Sequence, residues 1–217
     1  MKKIILPLFF LFSFLAVALP VMSQNASAIL RESNARFSML QDFSAEFVFS
    51  IENPTRLNSS ISKTGMLFYS KGKYVIKMPD QEIYTDRKTL WIHLPEEEEL
   101  NIMDFDEDEG IAINQIFKFT EGQETKGQYE GQQLIGGRTF DQISFLVSDP
   151  NFDFNQAMIW INTESNLMEK IIITNRRQTN TTYEFSNIII NQGLPESTFV
   201  FDTSNFKGDI FDEREGN

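Results

Sequence analysis

Between Gly65 and Met103 the sequence runs GMLFYSKGKYVIKMPDQEIYTDRKTLWIHLPEEEELNIM, a pattern that few folds accept. Short aromatic or β-branched segments alternate with polar residues, and each is cut off by a turn signal. Gly72 lies between Met66–Tyr69 and Tyr74–Lys77. Pro79-Asp80 precedes Glu82–Thr85, Asp86-Arg87 precedes Thr89–Leu94, and Pro95 precedes Glu98–Met103. Segments this short with turns this tight pair as successive antiparallel hairpins. Alternation then gives the sheet one apolar and one wet face, and what covers the apolar face decides what the chain does.

The flanking sequence extends the pattern. Asn25–Phe43 has helical spacing, with Ile29, Leu30, Phe37, Leu40 and Met39 on an apolar stripe and Asn25 or Ser27 as N-cap. From Phe43 the period becomes two: Phe47, Phe49 and Ile51 share one face, and Glu46, Val48 and Ser50 the other. Asn53-Pro54 turns the chain and Arg56–Ser62 reads as a polar loop. After the acidic run Asp104–Glu109, the segment Gly110–Phe119 carries Ile111, Ile113, Ile116, Phe117 and Phe119, which fits a short amphipathic helix. Strands resume at Gln128–Glu130, Gln133–Ile135, Thr139–Val147, Ala157–Asn162, Leu167–Asn175 and Thr179–Asn191. The aromatic tail Phe199–Phe201 and Phe206 is expected to pack back on the sheet. The fold class is mainly β with capping helices (α+β): helix, meander, helix, meander, forming one strongly curved antiparallel sheet.

Met1–Ser23 has the form of a cleaved signal peptide, with Lys2 and Lys3 ahead of the apolar stretch Ile4–Leu19. A membrane anchor is the competing reading; Pro20 and the lack of a basic stop-transfer flank argue against it. Cutting before Gln24 leaves about 194 residues, expected to form one domain (24–217). The chain has no cysteine, which excludes a disulfide-stapled scaffold and, after the cut, bacterial lipidation. A periplasmic location fits both. The formal charge of −12, deepened when Lys2 and Lys3 leave, opposes binding to nucleic acid or an anionic bilayer.

No residue constellation supports catalysis. His93 is the single histidine, with no thiol and no motif-embedded serine, so nucleophile-and-base chemistry lacks its members. One imidazole also excludes ordinary zinc hydrolase geometry. Asp104–Gly110 resembles a calcium loop, but Glu109 stands where such a loop needs glycine and Gln115 where it needs glutamate. Catalytic residues, metal ligands and cofactors are therefore all expected to be absent. Glu96–Glu99 reads as a solvated turn and charged edge strand. What remains is the apolar face, which helices either fill as plain core or cover loosely over a ligand cavity; composition does not choose.

Several segments, taken in order, resemble the outer-membrane lipoprotein carrier family, LolA. They are Phe43-Ser-Ala-Glu-Phe47, Gly65-Met-Leu-Phe, Gly72-Lys-Tyr74, Tyr84-Thr-Asp86-Arg-Lys-Thr-Leu-Trp91 and Leu94-Pro95. Ile159-Trp-Ile-Asn162, Asn166-Leu-Met, Thr182-Tyr-Glu-Phe-Ser-Asn-Ile188 and Phe199-Val-Phe201 follow. The resemblance spans nearly all of the mature chain and rests on order and spacing. It implies an unclosed β-barrel with a helical lid over an apolar cavity that receives lipoprotein acyl chains. It also implies a monomer that takes acylated lipoproteins from an inner-membrane ABC transporter and delivers them to an outer-membrane acceptor. The other reading is a non-transporting sensor or interaction module on the same fold.

The expected cavity residues are Phe47, Phe49, Met66, Phe68, Tyr74, Ile76, Trp91, Ile113, Ile116, Phe117 and Phe145, with strand phase uncertain by one residue. The family usually has an arginine that latches the lid helices closed. Alignment on Gly72 and Tyr74 puts Ser70 at that position and Lys71 at the following proline, leaving Lys71 or Lys73 as substitute cations without arginine's planar fork. Asp86-Arg87 likewise replaces the family's Asp-Gly turn.

Overall fold

A computed structural model describes residues 26–53, 60–106, 126–148, 152 and 154–214. The expected signal peptide and the expected helix at Gly110–Phe119, with Ile113, Ile116 and Phe117, lie outside the described residues. The first described element is helix α1 (Ala26–Ser38), which buries Ala26, Leu30 and Ser33. Ile29 and Phe37 pack against the core beside it, and Leu40 is buried just past its end. Met39, assigned to the apolar stripe, is instead 75% exposed, because the helix has ended and the chain is turning toward the sheet.

Twelve strands follow among the described residues. They are β1 (Phe43–Glu52), β2 (Ser60–Ser70), β3 (Lys73–Lys77), β4 (Glu82–Thr85), β5 (Thr89–Leu94) and β6 (Glu99–Asp104). Next come β7 (Gln128–Ile135), β8 (Arg138–Leu146), β9 (Phe154–Asn162), β10 (Met168–Asn175), β11 (Asn180–Ile190) and β12 (Asp209–Asp212). They form one sheet, ordered β12-β6-β5-β4-β3-β2-β1-β11-β10-β9-β8-β7, that does not close into a barrel. The hairpin run is as expected, with β4 and β5 at the anticipated boundaries. Other strand ends shift by one to three residues, and three larger differences stand out. β2 begins at Ser60, inside the expected polar loop, because Ile51 and Glu52 of β1 extend the ladder to Ile61 and Ser60. Gln128–Glu130 and Gln133–Ile135 form one strand, joined through a register shift between Tyr129 and Gly131. β6 is an interior strand, because the tail adds β12 to it in parallel.

The sheet bends around α1. Leu30 converges with Ile143 and Phe145 of β8 on the space above Gly127. Seven residues further along, the Phe37 ring lies 5.3 Å from that of Tyr69 on β2. Five strand spacings separate β8 from β2, about 24 Å if flat, whereas the helix rises only about 10 Å between those residues. Strands from both halves of the sheet, β1–β4 and β8–β11, accordingly share one inner core.

The outer face has its own cover. After β11 the chain turns at Asn191–Leu194, clamped by the buried Asp42 carboxylate. That group accepts from the backbone N–H of Gln192 (2.7 Å), Gly193 (2.9 Å) and Leu194 (3.1 Å). The tail then seats Phe199, with Leu194, Phe201 and Phe206, on Val75, Tyr84, Trp91, Leu100 and Ile102.

Candidate functional site

The register decides which predicted site residues share a face. Phe43, Ala45 and Phe47 on β1 pair with Tyr69, Leu67 and Gly65 on β2, and all project inward. Gly65 is needed here: a Cβ would lie 2.6 Å from the Phe47 ring and 2.5 Å from the Lys77 carbonyl oxygen. Ile76 follows across from Leu67, and Ile83 across from Ile76. Phe47, Tyr74, Ile76 and Phe145 are buried in the inner core, and Phe49 packs against it, its ring 5.2 Å from Tyr183.

Met66, Phe68 and Trp91 do not join them. Phe68 pairs with Val75, Val75 with Tyr84 and Tyr84 with Trp91, a row one residue out of phase with the inner row. Phe68 and Trp91 therefore belong to the outer cluster beneath the tail, and Met66 alternates to the same side as Phe68. The expectation of one shared cavity is corrected for these three residues. His93 lies on the outer side too, its ring 5.2 Å from Phe201 and 5.5 Å from Phe206, with Nδ1 3.4 Å from Glu82 Oε2.

The latch region is also divided. The Ser70 hydroxyl donates to the Gln41 carbonyl (3.0 Å), in the link between α1 and β1. Lys71 occupies the turn at φ +50. Lys73 pairs with Glu196 and stands 5.7 Å from the Phe199 ring centroid, so it fastens the tail to the outer face. Its ammonium is not directed at α1.

The inner face holds a cleft that sequence reasoning placed only in part. Leu30, Ser33, Asn34 and Phe37 of α1 face Phe43, Ile159, Ile161, Met168, Phe185 and Ile188 of the sheet, with Leu40 and Leu167 at the ends. The space between them is about 40 Å³ and its lining is mainly apolar. That is room for about three waters, with few polar partners to hold them. Apart from Phe43 on β1, the strand residues of this cleft lie on β9–β11, and none of these lining residues was expected. Their signal was the alternation in Ala157–Asn162, whose partner strands the sequence does not reveal.

Beside the C-terminal half of α1, sharing Leu167 and Ile188 with the cleft, lies a groove of about 330 Å³, lined by Arg36, Arg138, Ser165, Leu167, Glu169, Asn187, Ile188 and Ile190. Arg138 Nη1 donates to Glu169 (2.5 Å), which also accepts from Asn162 Nδ2 (2.8 Å). On the inner wall, burial pushes the Tyr183 phenol up to about 12 from its ordinary 10.0.

A family model described as "Outer membrane lipoprotein carrier protein LolA" matches residues 70–202, more than half of the chain. No curated protein sequence gives a significant match. Among solved structures, an uncharacterized conserved protein from Thermus thermophilus superposes with a TM-score of 0.57 at 8% identity. The match covers 87% of this chain and 99% of that one, and it shows a shared fold. A LolA superfamily protein from Nitrosomonas europaea gives a TM-score of 0.45 at 13% identity, covering 83% of this chain and 99% of its own. The lipoprotein LppX from Mycobacterium tuberculosis gives 0.47 at 14%, covering 78% and 97%. With its unclosed sheet, inner helix and matched segment, this chain belongs to the LolA outer membrane lipoprotein carrier family.

Proposed function

We propose that the protein is an exported, monomeric carrier, working in the periplasm as one domain (24–217) behind a cleaved signal peptide. In this reading it binds acyl chains of lipoproteins released by an inner-membrane ABC transporter and carries them toward the outer membrane, with no covalent chemistry. The observation that carries the reading is the narrow apolar cleft between α1 and strands β1 and β9–β11, bounded on one side, among the described residues, by a 13-residue helix. Each methylene withdrawn from water is worth about 0.8 kcal/mol, so an acyl chain crosses an aqueous compartment only inside such a cover. A carrier must also release. A cleft that is closed when empty and opened by its ligand gives two states with different affinity, whereas a preformed tight pocket would hold its cargo.

The test is transfer of a radiolabelled lipoprotein from spheroplasts into buffer containing the purified mature protein. Label should co-elute with the protein, and Phe37→Glu, which puts a charge into the cleft, should abolish transfer while the sheet's far-ultraviolet circular dichroism persists. Label remaining on the membrane in the presence of well-folded protein contradicts the carrier reading, and a stoichiometric protein partner bound without cargo replaces it with a sensor.

A further inference from the structure

The groove beside the cleft has a charge that the fold does not use. Glu169 is engaged by Arg138 and Asn162, so that carboxylate and the Arg138 guanidinium neutralise one another. Arg138 is further placed by the Phe140 ring, 5.3 Å from its guanidinium carbon. Arg36, in the last turn of α1, is half-buried and lines the same groove. Among the described residues its side chain has neither an ion pair nor a hydrogen-bond partner. The preceding turn of the helix offers Glu32, which is exposed and forms no ion pair with it. In a chain of net charge −12, an unpaired arginine on the wall of a groove whose one carboxylate among the described residues is already neutralised is a local positive site.

The groove adjoins the cleft. Leu167 and Ile188 line both, and α1 supplies Phe37 to the apolar side and Arg36 to the polar side in consecutive positions. We infer that the protein binds single anionic amphiphiles, with the alkyl chain in the cleft beneath α1 and a carboxylate or phosphate head on Arg36 in the groove. Ser165 and Asn187 add neutral polar groups to the same wall. The guanidinium fork matches either head group through paired N–H donors, and the half-buried setting strengthens the contact relative to bulk water. This assignment rests on the acyl-binding reading of the cleft and adds a head-group preference to it.

Equilibrium binding of dodecanoate, dodecyl phosphate and uncharged dodecanol, all as monomers in solution, separates the two layers. Both anions should bind about tenfold more tightly than dodecanol, about 1.4 kcal/mol, with added salt narrowing the gap. Arg36→Gln should bring both down to the dodecanol level, and Arg36→Lys should restore part of the preference, while neither change moves the melting temperature. Comparison of dodecanoate with dodecyl phosphate then tells which head group the site favours. Inorganic phosphate should not bind at these concentrations, and tight binding of phosphate alone would make the groove an anion site unconnected to the cleft. Equal binding of dodecanol and the anions, or a preference that survives Arg36→Gln, overturns the head-group assignment and leaves the acyl-binding reading intact. Failure of all three amphiphiles to bind overturns the acyl-binding reading itself.

Discussion

Arg87 stands at φ +76, in the left-handed region that favours glycine. Its neighbours make the turn hold without one. Asp86 Oδ1 accepts from the backbone N–H of Lys88 and Thr89, both at 2.8 Å, and Thr85 Oγ1 accepts from that of Arg87 (3.0 Å). The Arg87 stem lies over Gly72, itself at φ +87, where a Cβ would come within 3.0 Å of the arginine Cδ. Gly72→Ala should therefore cost about 1–2 kcal/mol, through the backbone and through this contact. In an Arg87→Gly background the contact part should vanish and the backbone part remain, giving a non-zero coupling in a double-mutant cycle by urea denaturation. Tyr183 carries a pH prediction. Its phenol is pushed up to about 12 from 10.0 because burial disfavours the phenolate, so folding favours the neutral form. That contribution is complete below pH 10 and is lost as pH rises from 10 toward 12, about 2–3 kcal/mol in all. Tyr183→Phe should lose stability less steeply over that window than the parent.

At the scale of elements, the tail explains why strand positions were legible and strand phase was not. Turns are local, and Gly72, Pro79-Asp80 and Asp86-Arg87 mark them directly. Phase requires one apolar and one polar face, and β2–β5 are covered on both sides, by the core beneath α1 and by Phe199, Phe201 and Phe206 outside. Met66, Leu67, Phe68 and Tyr69 are accordingly apolar without a break, and nothing in that run tells Phe68 from Leu67. The acidic run Glu96–Glu99 misled for a related reason. It reads as edge protection, but Glu98 offers its carbonyl to the Asp209 N–H (2.9 Å) as the chain enters β12, so the tail occupies that edge. If the tail is held by packing, Phe199→Ala should destabilise by about 3–5 kcal/mol. Lys73→Gln, which removes a link to the largely exposed Glu196, should cost less than about 1 kcal/mol. Urea unfolding of the two variants measures both.

For the whole molecule, the decisive fact is that β1 pairs with β11, more than a hundred residues away. This brings β9–β11 under α1 and makes the cleft. No local pattern announces such a pairing, which is why Phe47, Tyr74, Ile76 and Phe145 were legible as inner residues while Ile159, Ile161, Phe185 and Ile188 were not singled out. The order of family-like segments along the chain supplied the unclosed sheet and the carrier reading, but side-chain phase came only with the register. The central claim is that an acyl chain enters beneath α1 on the inner face. Photo-crosslinking with a dodecanoate bearing a terminal diazirine, read by peptide mass spectrometry, addresses it directly. Adducts should fall on Phe37, Ile161, Phe185 and their neighbours, and Phe37→Glu should suppress them. Adducts confined to the outer face, on Trp91, Phe201 or Phe206, would contradict the account.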